Sequence, residues 1–393
     1  MPRLIDKPRL MEKLKHFHDY VRKNNGQIGT RQRGIDMNFN NACNLTCKYC
    51  FTNSPVGDHA KSTLDLEMVA SVADQADELG IFEFDLQGGE LLLRPELLFQ
   101  ALEAIQPERF YFYLTTNGYF LDKDMAKRLA DAKVSRVSVS IDSFDEQTHD
   151  EIRGRKDSWR RAMEGLKNVQ DVGIDPYLNI TVGHYNANSE DIEMLCQYSE
   201  DNNYNTLLNV AVPSGMWLKI DKMKEVIVDE KDKARLIKLR KKHKNIIRNL
   251  WNPFDRNYEG VLGCNTVNRL YITPLGDVLV CPYVHIKIGN VYEQSLKEIR
   301  DYGFSIKHFN EYSSLCLAGE KTEFIQKYMS YEGQSIAQEI FTEDDYNCLS
   351  SNKSLPPTIY DTNIIFIVKA INNRTVEQCR QWKCPAADKS GFF

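Results

Sequence analysis

From Gly34 to about residue 250 the chain alternates short apolar, β-branched runs with longer amphipathic stretches. The strand-like runs are Ile35–Asn40, Ile81–Gln87, Phe110–Thr115, Val134–Ser140, Tyr177–Val182 and Thr206–Val212. Between them lie helix candidates at Leu64–Leu79, Pro95–Ile105, Lys123–Asp131, Ser158–Asp171, Glu190–Asp201 and Lys231–Leu250. Strands that return through helical crossovers lie parallel in one sheet. Six such units fall short of a closed eight-fold barrel, so the expected fold is α/β, a partial (β/α)6 barrel over residues 35–250. Residues 1–34 read as a basic helical extension, with nine Lys/Arg against three Asp/Glu through residue 33. At Trp251-Asn252-Pro253-Phe254 the alternation stops, and residues 251–393 read as a smaller α+β domain of short strands, turns and cysteines. Ile364–Val368 is a candidate buried strand within it.

A hydrophobic content of 42% supports a sizeable core, and a net charge of -5 argues against bulk nucleic-acid binding. The stretch Arg235–Arg248 mixes basic and apolar positions at helical spacing, as one solvated helix face does; an anionic partner is the alternative. No run of eighteen apolar residues exists and the N-terminus lacks the apolar core of a secretory signal, so no membrane association is expected.

Three thiols at Cys43, Cys47 and Cys50 stand at C-x3-C-x2-C spacing just after the first strand. Three cysteines leave one iron of a four-iron cube open to a non-protein ligand. Structural zinc, the plainer alternative, wants a fourth ligand and paired C-x2-C arms. Gly88-Gly89-Glu90 follows the second strand, Thr116-Asn117-Gly118 the third, and Asp142-Ser143 the fourth. Barrel-type enzymes build their sites from such loops at the C-terminal strand ends, so the four should converge on one mouth. Cluster-bearing thiols need a reducing compartment, which predicts the cytoplasm.

The cysteine triplet resembles that of the radical S-adenosylmethionine (SAM) enzymes, and the spacing to Gly88-Gly89-Glu90 is similar to theirs. The resemblance implies a 4Fe–4S cluster on Cys43, Cys47 and Cys50 whose open iron takes the amino and carboxylate groups of SAM. It implies that Gly88, Gly89 and Glu90 bind the methionyl amino group, with the Glu90 carboxylate as the charged partner. Leu91 stands where many members have proline. Thr116, Asn117, Ser140 and Asp142 resemble positions near the ribose and methionyl parts of SAM. His149-Asp150-Glu151-Ile152-Arg153-Gly154 matches an H-D-x-x-R-G pattern of the peptide- and sugar-modifying branch. Arg153 is then a candidate for the SAM carboxylate, to which a guanidinium fork is suited; a helix-capping arginine is the alternative. Tyr49 and Phe51 are candidates for stacking on adenine, with ordinary packing as the other reading of Phe51.

Beyond residue 250, Cys264 and Cys281 bracket a hairpin pattern turning at Leu275-Gly276-Asp277. The C-x11-G-x4-C spacing and Ile288–Ile299 resemble the auxiliary-cluster extensions called SPASM and twitch domains. Cys316 falls where the next ligand is expected, but Gly319 occupies the position after it. Two thiolate-bound cubes need eight cysteines and six lie beyond residue 250, so one auxiliary 4Fe–4S cluster is expected. Its ligands would be Cys264, Cys281 and Cys316, with Cys348 preferred as the fourth over Cys379 or Cys384; a zinc ribbon is the alternative. Cys196 lies in an apolar-periodic stretch and reads as a buried structural thiol, or else as a hydrogen-atom donor to a substrate radical.

The resemblance implies reductive cleavage of SAM to a 5′-deoxyadenosyl radical that abstracts a hydrogen atom from substrate, with an external electron donor such as flavodoxin or ferredoxin. A sugar-, nucleotide- or aminoglycoside-like small molecule is favoured as substrate. The second auxiliary motif is missing, and the segment before the first strand is too short for the winged-helix module of many peptide-modifying members. A ribosomal peptide is the alternative, favoured by the His149–Gly154 and Gly289–Ile299 segments. A non-catalytic cluster-bearing sensor is the remaining reading.

Overall fold

Polar and apolar residues alternate within strands at the centre of the sheet, Gly34–Asn38 and Glu83–Gln87 among them, and that alternation decides which way the sheet faces. The computed structural model describes residues 7–52, 65–219, 223–252, 260–329 and 335–347. Its strands are β1 (Gly34–Asn38), β2 (Glu83–Gln87), β3 (Tyr111–Thr116), β4 (Arg136–Ser140), β5 (Asp175–Val182) and β6 (Asn205–Val210). They continue with β7 (Ile246–Ile247), β8 (Arg269–Ile272), β9 (Asp277–Cys281), β10 (Val284–Asn290) and β11 (Ser335–Ile336). All eleven join one sheet in the order β11-β10-β9-β8-β1-β2-β3-β4-β5-β6-β7. Strands β1 to β7 pair in parallel with their neighbours, which bears out the α/β half-barrel read from the sequence.

Ile35, Met37, Phe84, Leu86, Leu114 and Val139 are fully buried against helix residues such as Val69, Leu98, Leu102 and Leu166. Their alternates, among them Asp36, Asp85, Tyr113 and Arg136, line a cavity on the concave side. A closed barrel packs its interior with branched apolar side chains; this open one carries a polar lining.

The crossover helices Pro95–Ile105, Lys123–Asp131, Ser158–Asp171 and Glu190–Asp201 form at the expected residues. Asp122 and Ser189 cap two of them by accepting from Met125 N and Ile192 N. The expected helix Lys231–Leu250 is shorter, running Glu230–Lys242 before the chain turns into β7. No Gly or Pro marks that stop. Asn245 makes it, its side chain donating to Tyr204 O at 2.8 Å and its carbonyl accepting from Thr206 N at 3.0 Å. The basic stretch there is tied to acidic side chains: Arg235 and Lys242 pair with Glu193, and His243 Nδ1 lies 2.7 Å from Glu200.

The N-terminal helix Pro8–Lys23 buries Leu10, Phe17 and Val21 against Ile28, Phe82 and Leu262. Just before it, the Lys7 ammonium donates to the carbonyls of Pro107, Phe110 and Lys133 and to Ser135 Oγ, all at 2.8–3.0 Å. Those acceptors precede β3 and β4, so the helix covers the N-terminal strand ends, opposite the cysteine loop.

Beyond residue 250 the sheet runs on without a break. β8 pairs in parallel with β1, Gly34 opposite Arg269, and then turns back as an antiparallel hairpin with β9. The turn has Gly276 at φ +80°, where a Cβ would press on the Tyr292 ring at 2.6 Å. The short helix expected after Gly289 is Leu296–Ser305, opened by a Ser295/Glu298 capping box. The expected strand Ile364–Val368 lies outside the described residues. No helix among the described residues is long and apolar enough to cross a membrane.

Candidate active site

Cys43, Cys47 and Cys50 lie on the loop that leaves β1, and that loop is held from two sides. On one side, Gly89 N donates to Asn40 O at 2.7 Å and Glu90 N to Ala42 O at 2.8 Å. A Cβ on Gly89 would sit 2.1 Å from Ala42 O, and one on Gly88 2.5 Å from Asn40 O. The two glycines therefore serve a backbone-to-backbone approach as well as a cavity wall. On the other side, Thr46 N and Lys48 N donate to the carbonyls of Arg153 and Ile152, each at 3.2 Å.

The H-D-x-x-R-G segment is explained residue by residue. Its helix, Glu146–Arg153, ends in Gly154 at φ +68°, where a Cβ would meet Thr46 Oγ1 at 2.1 Å. His149 Nδ1 accepts from Asp142 N at 3.3 Å. The Asp150 carboxylate accepts from Ser158 Oγ, Asp157 N and Trp159 N and so opens the next helix. The Arg153 guanidinium pairs with Asp142, and its Nη1 reaches Cys47 Sγ at 3.7 Å.

The thiols of the triplet, with Tyr49, Gly88, Gly89, Thr116, Asn117, Ser140 and Arg153, line a single cavity at the C-terminal strand ends. Asp142 lies behind this wall. Its carboxylate accepts from the Tyr49 hydroxyl and from Thr181 N besides pairing with Arg153. Burial alone would raise its pKa; the Arg153 charge and the hydrogen bonds from Tyr49 and Thr181 outweigh burial and hold it below the usual carboxylate range. Tyr49 is thereby fixed with its ring 6.1 Å from Trp217, while Phe51 packs edge-on against Tyr283 at 5.3 Å. Trp217 is a cavity residue that the sequence pattern did not single out.

Glu90 also lies behind the wall, at 0% exposure. Its carboxylate accepts from Thr116 Oγ1 at 2.7 Å, Asn117 N at 2.8 Å and Leu92 N at 2.9 Å. It locks the loop after β2 to the loop after β3, and the peptide backbone of Gly88 and Gly89 faces the cavity. Glu90→Gln puts an NH2 where one of these donors points, and hydrogen bonds to a charged group are worth about 1.5–3 kcal/mol. Unfolding stability should fall by about that amount and SAM affinity by roughly ten- to a hundredfold, with iron content unchanged. Denaturant melts and calorimetric SAM titration measure the two; a parental melt would show that these bonds contribute nothing.

His149 gives the site an acid-sensitive member. Burial first, and then the Arg153 charge, pull its pKa down to about 4, so it is a neutral acceptor in the folded protein. An unfolded histidine takes a proton below about pH 6.5, so this part of the stability is present above that pH. It is lost as pH falls from 6.5 towards 4, an expected change of roughly 3 kcal/mol. His149→Asn keeps an acceptor that does not titrate in this range and should flatten that limb of a stability-against-pH curve. An unchanged limb in the variant would assign it to other groups.

The triplet has the character of a cluster site. All three thiols are half-buried and unbridged. Burial pushes Cys43 up to about 12, so the bare thiol keeps its proton until a metal displaces it. In the C-terminal part, Cys264, Cys281 and Cys316 are also unbridged and lie near enough to interact electrostatically. Cys264 and Cys316 are in hydrogen-bond contact, which brings Cys264 down to about 6. Burial pushes Cys281 up to about 12. Glu320 braces this group by accepting from Cys316 N at 2.9 Å while pairing with Arg248 at 3.1 Å. Cys348, Cys379 and Cys384, the candidates for a fourth ligand, lie outside the described residues. Cys196 is fully buried in the helix Glu190–Asp201, within the apolar core and away from the cavity lining.

Sequence reading missed the cavity floor, formed by Asp36, Asp85, Tyr113, Arg136 and Arg269. The signal was present: Asp36-Met37-Asn38 and Glu83-Phe84-Asp85-Leu86-Gln87 alternate polar with apolar residues inside parallel strands, where continuous apolar runs are usual.

Comparison with known proteins agrees with this geometry. Residues 37–198 match the family model described as the radical SAM superfamily, and residues 264–316 match SPASM, an iron-sulfur cluster-binding domain. The GTP 3′,8-cyclase of Rippkaea orientalis is 31% identical over 44% of this chain and 54% of its own length, about half of that relative. A probable GTP 3′,8-cyclase of Sulfolobus acidocaldarius is 27% identical over 67% of this chain and 85% of its own. Streptococcus suis SuiB, solved with its precursor peptide SuiA, shares the fold at a TM-score of 0.53 and 17% identity, over 74% of this chain and 68% of that one.

Proposed function

The chain is a radical SAM enzyme with a C-terminal SPASM cluster domain, and from that premise we propose that it abstracts a hydrogen atom from a small polar molecule of the sugar, nucleotide or aminoglycoside kind. Cys43, Cys47 and Cys50 would hold the SAM-binding 4Fe–4S cluster, and Cys264, Cys281 and Cys316 an auxiliary cluster. Bound there and reduced, the first cluster would supply the electron for reductive cleavage of SAM. The backbone of Gly88 and Gly89 receives the methionyl group, Arg153 its carboxylate, and Tyr49 the adenine side. Asp142, His149 and Glu90 position these groups from behind. Thr116, Asn117 and Ser140 offer hydroxyl and amide groups suited to a ribose.

The observation that carries the small-molecule reading is the cavity itself, which leads from the cysteine loop to a floor inside the half-barrel lined by charged and hydroxyl groups. Such a floor suits a compact ligand with many hydrogen-bonding groups. The relatives named GTP 3′,8-cyclase support a small-molecule substrate by their names. The His149–Gly154 segment, which resembled the peptide-modifying branch, is occupied in holding the cysteine loop and carries no preference for a peptide.

Deuterated sugars, aminocyclitols, GTP and synthetic peptides, each offered to the anaerobically reduced holoenzyme, test this reading through deuterium in 5′-deoxyadenosine. Transfer from one of the small molecules is the expected result. Transfer from a peptide and from none of them would overturn it.

A further inference from the structure

Five charged side chains meet near the floor of the cavity, and four of them have partners. Asp36 on β1 receives the Arg269 guanidinium, and Glu83 on β2 receives Arg269 Nη1 at 3.0 Å and Arg33 at 2.8 Å. Arg136 on β4 donates through Nε to Ser138 Oγ at 2.9 Å, with the rings of Tyr177 and Tyr113 at 3.8 and 4.4 Å from its guanidinium. Asp85 is the fifth. It stands directly across from Asp36 in the β1–β2 register and from Tyr113 in the β2–β3 register. It is 5% exposed and lines the cavity, and its Oδ1 is buried with no hydrogen-bond partner.

A buried carboxylate oxygen without a donor is costly, and native sites rarely keep one unless a ligand supplies what is missing. The missing group here is a hydrogen-bond donor. Two carboxylates side by side, with one guanidinium already given to Asp36, favour a donor that also carries positive charge. A polyanion finds the opposite: the arginines of the floor are matched by carboxylates or covered by aromatic rings. Asp85 lies two residues before Gln87, hence about 6–7 Å deeper than the glycine loop at about 3.3 Å per residue. A group bound there lies on the barrel side of the SAM-binding wall. Asn179, Thr181 and Asn209 on the adjoining wall offer amide and hydroxyl groups to a polyhydroxylated body.

We propose that Asp85, backed by Asp36, receives an ammonium group of the substrate on the cavity floor, so that the substrate is an amine-bearing polyhydroxylated small molecule. This rests on the small-molecule reading above and narrows it. The groups facing Asp85 are Asp36 on β1, Glu83 on its own strand, Tyr113 on β3, Arg136 on β4, and Arg269 with Tyr271 on β8. Burial and the Asp36 charge raise its pKa well above the usual carboxylate range despite the two arginines. An ammonium group seated against it would favour the charged carboxylate and offset this rise.

The test uses the SAM-loaded holoenzyme and two matched pairs of probes, glucosamine with glucose and streptamine with scyllo-inositol. Calorimetry reads the affinity of each probe. The amine of each pair should bind about tenfold or more tightly than its neutral counterpart. Asp85→Asn, which keeps the shape, should abolish that difference. Equal affinity within the pairs, or binding of neither member, would overturn the proposal, and these need no variant. Discrimination that survives in Asp85→Asn would overturn it as well. A neutral molecule supplying the deuterium in the turnover assay would sink this assignment and leave the small-molecule reading standing. A peptide supplying it, with none of the small molecules doing so, would overturn the small-molecule reading and this assignment with it.

Discussion

Cys43, Cys47 and Cys50 replaced together by Ala should leave an enzyme that forms no 5′-deoxyadenosine under dithionite and still holds its C-terminal iron. The triplet loop and the Cys264, Cys281 and Cys316 group are built from different parts of the chain, one braced by Gly89 and Arg153 and the other by Glu320. Loss of one set of thiolates therefore should not strip the other. Anaerobically reconstituted parent should carry about eight irons and the triple variant about four, one cube each. The converse variant, with Cys264, Cys281 and Cys316 replaced, should also keep about four and retain SAM cleavage in the absence of substrate. Undiminished 5′-deoxyadenosine formation in the triplet variant would remove the basis of the catalytic reading. Iron analysis and product chromatography on the same samples decide it.

Arg153→Met should be the most destabilising single change at the site. It leaves Asp142 as a buried carboxylate with only a hydroxyl and one amide for partners. Removing one member of a buried ion pair typically costs about 3–5 kcal/mol, because the remaining charge is uncompensated. The same guanidinium touches Cys47, so the cysteine loop should loosen and SAM affinity should fall with stability. Adding Asp142→Asn to Arg153→Met removes the orphaned charge and should restore a large part of the stability. It should not restore SAM binding, since the guanidinium is the partner we propose for the SAM carboxylate. A single variant as stable as the parent would show that Arg153 and Asp142 are not coupled; recovery of SAM binding in the double variant would take Arg153 out of the SAM pocket.

Strand and helix positions in the core were legible because a buried sheet under helices imposes strong periodicities, and most crossover helices fall where the pattern puts them. The end of the helix after Glu230 was not, because Asn245 stops it through a contact with Tyr204, 41 residues away in sequence and invisible to a local pattern. The cysteine triplet and the hairpin from Cys264 to Cys281 were readable from spacing, since cluster ligation constrains sequence directly. Glu90 and Asp142 show the limit. Their identity was noticed, but whether a carboxylate after a strand end turns towards the cavity or away from it depends on which donors neighbouring loops bring. Here Thr116, Asn117 and Thr181 draw both inward. Asp85 carries no signal in a strand run read as an apolar block, whereas in an open half-barrel the second phase of the alternation lines the cavity.

The pairing of β8 with β1 has a consequence for how the chain is made. β1 can pair with β2 once residues 39–87 have followed it, but its other edge, from Gly34 to Met37, stays open until residues 269–272 have left the ribosome. Contacts so distant in sequence form late and slow folding. Throughout that interval the strand leading into the cysteine loop presents an unpaired backbone edge, the kind of surface through which growing chains stick to one another. Synthesis of this protein thus passes through a stage at which its N-terminal part is long enough to begin folding and has not yet received the strand that seals it.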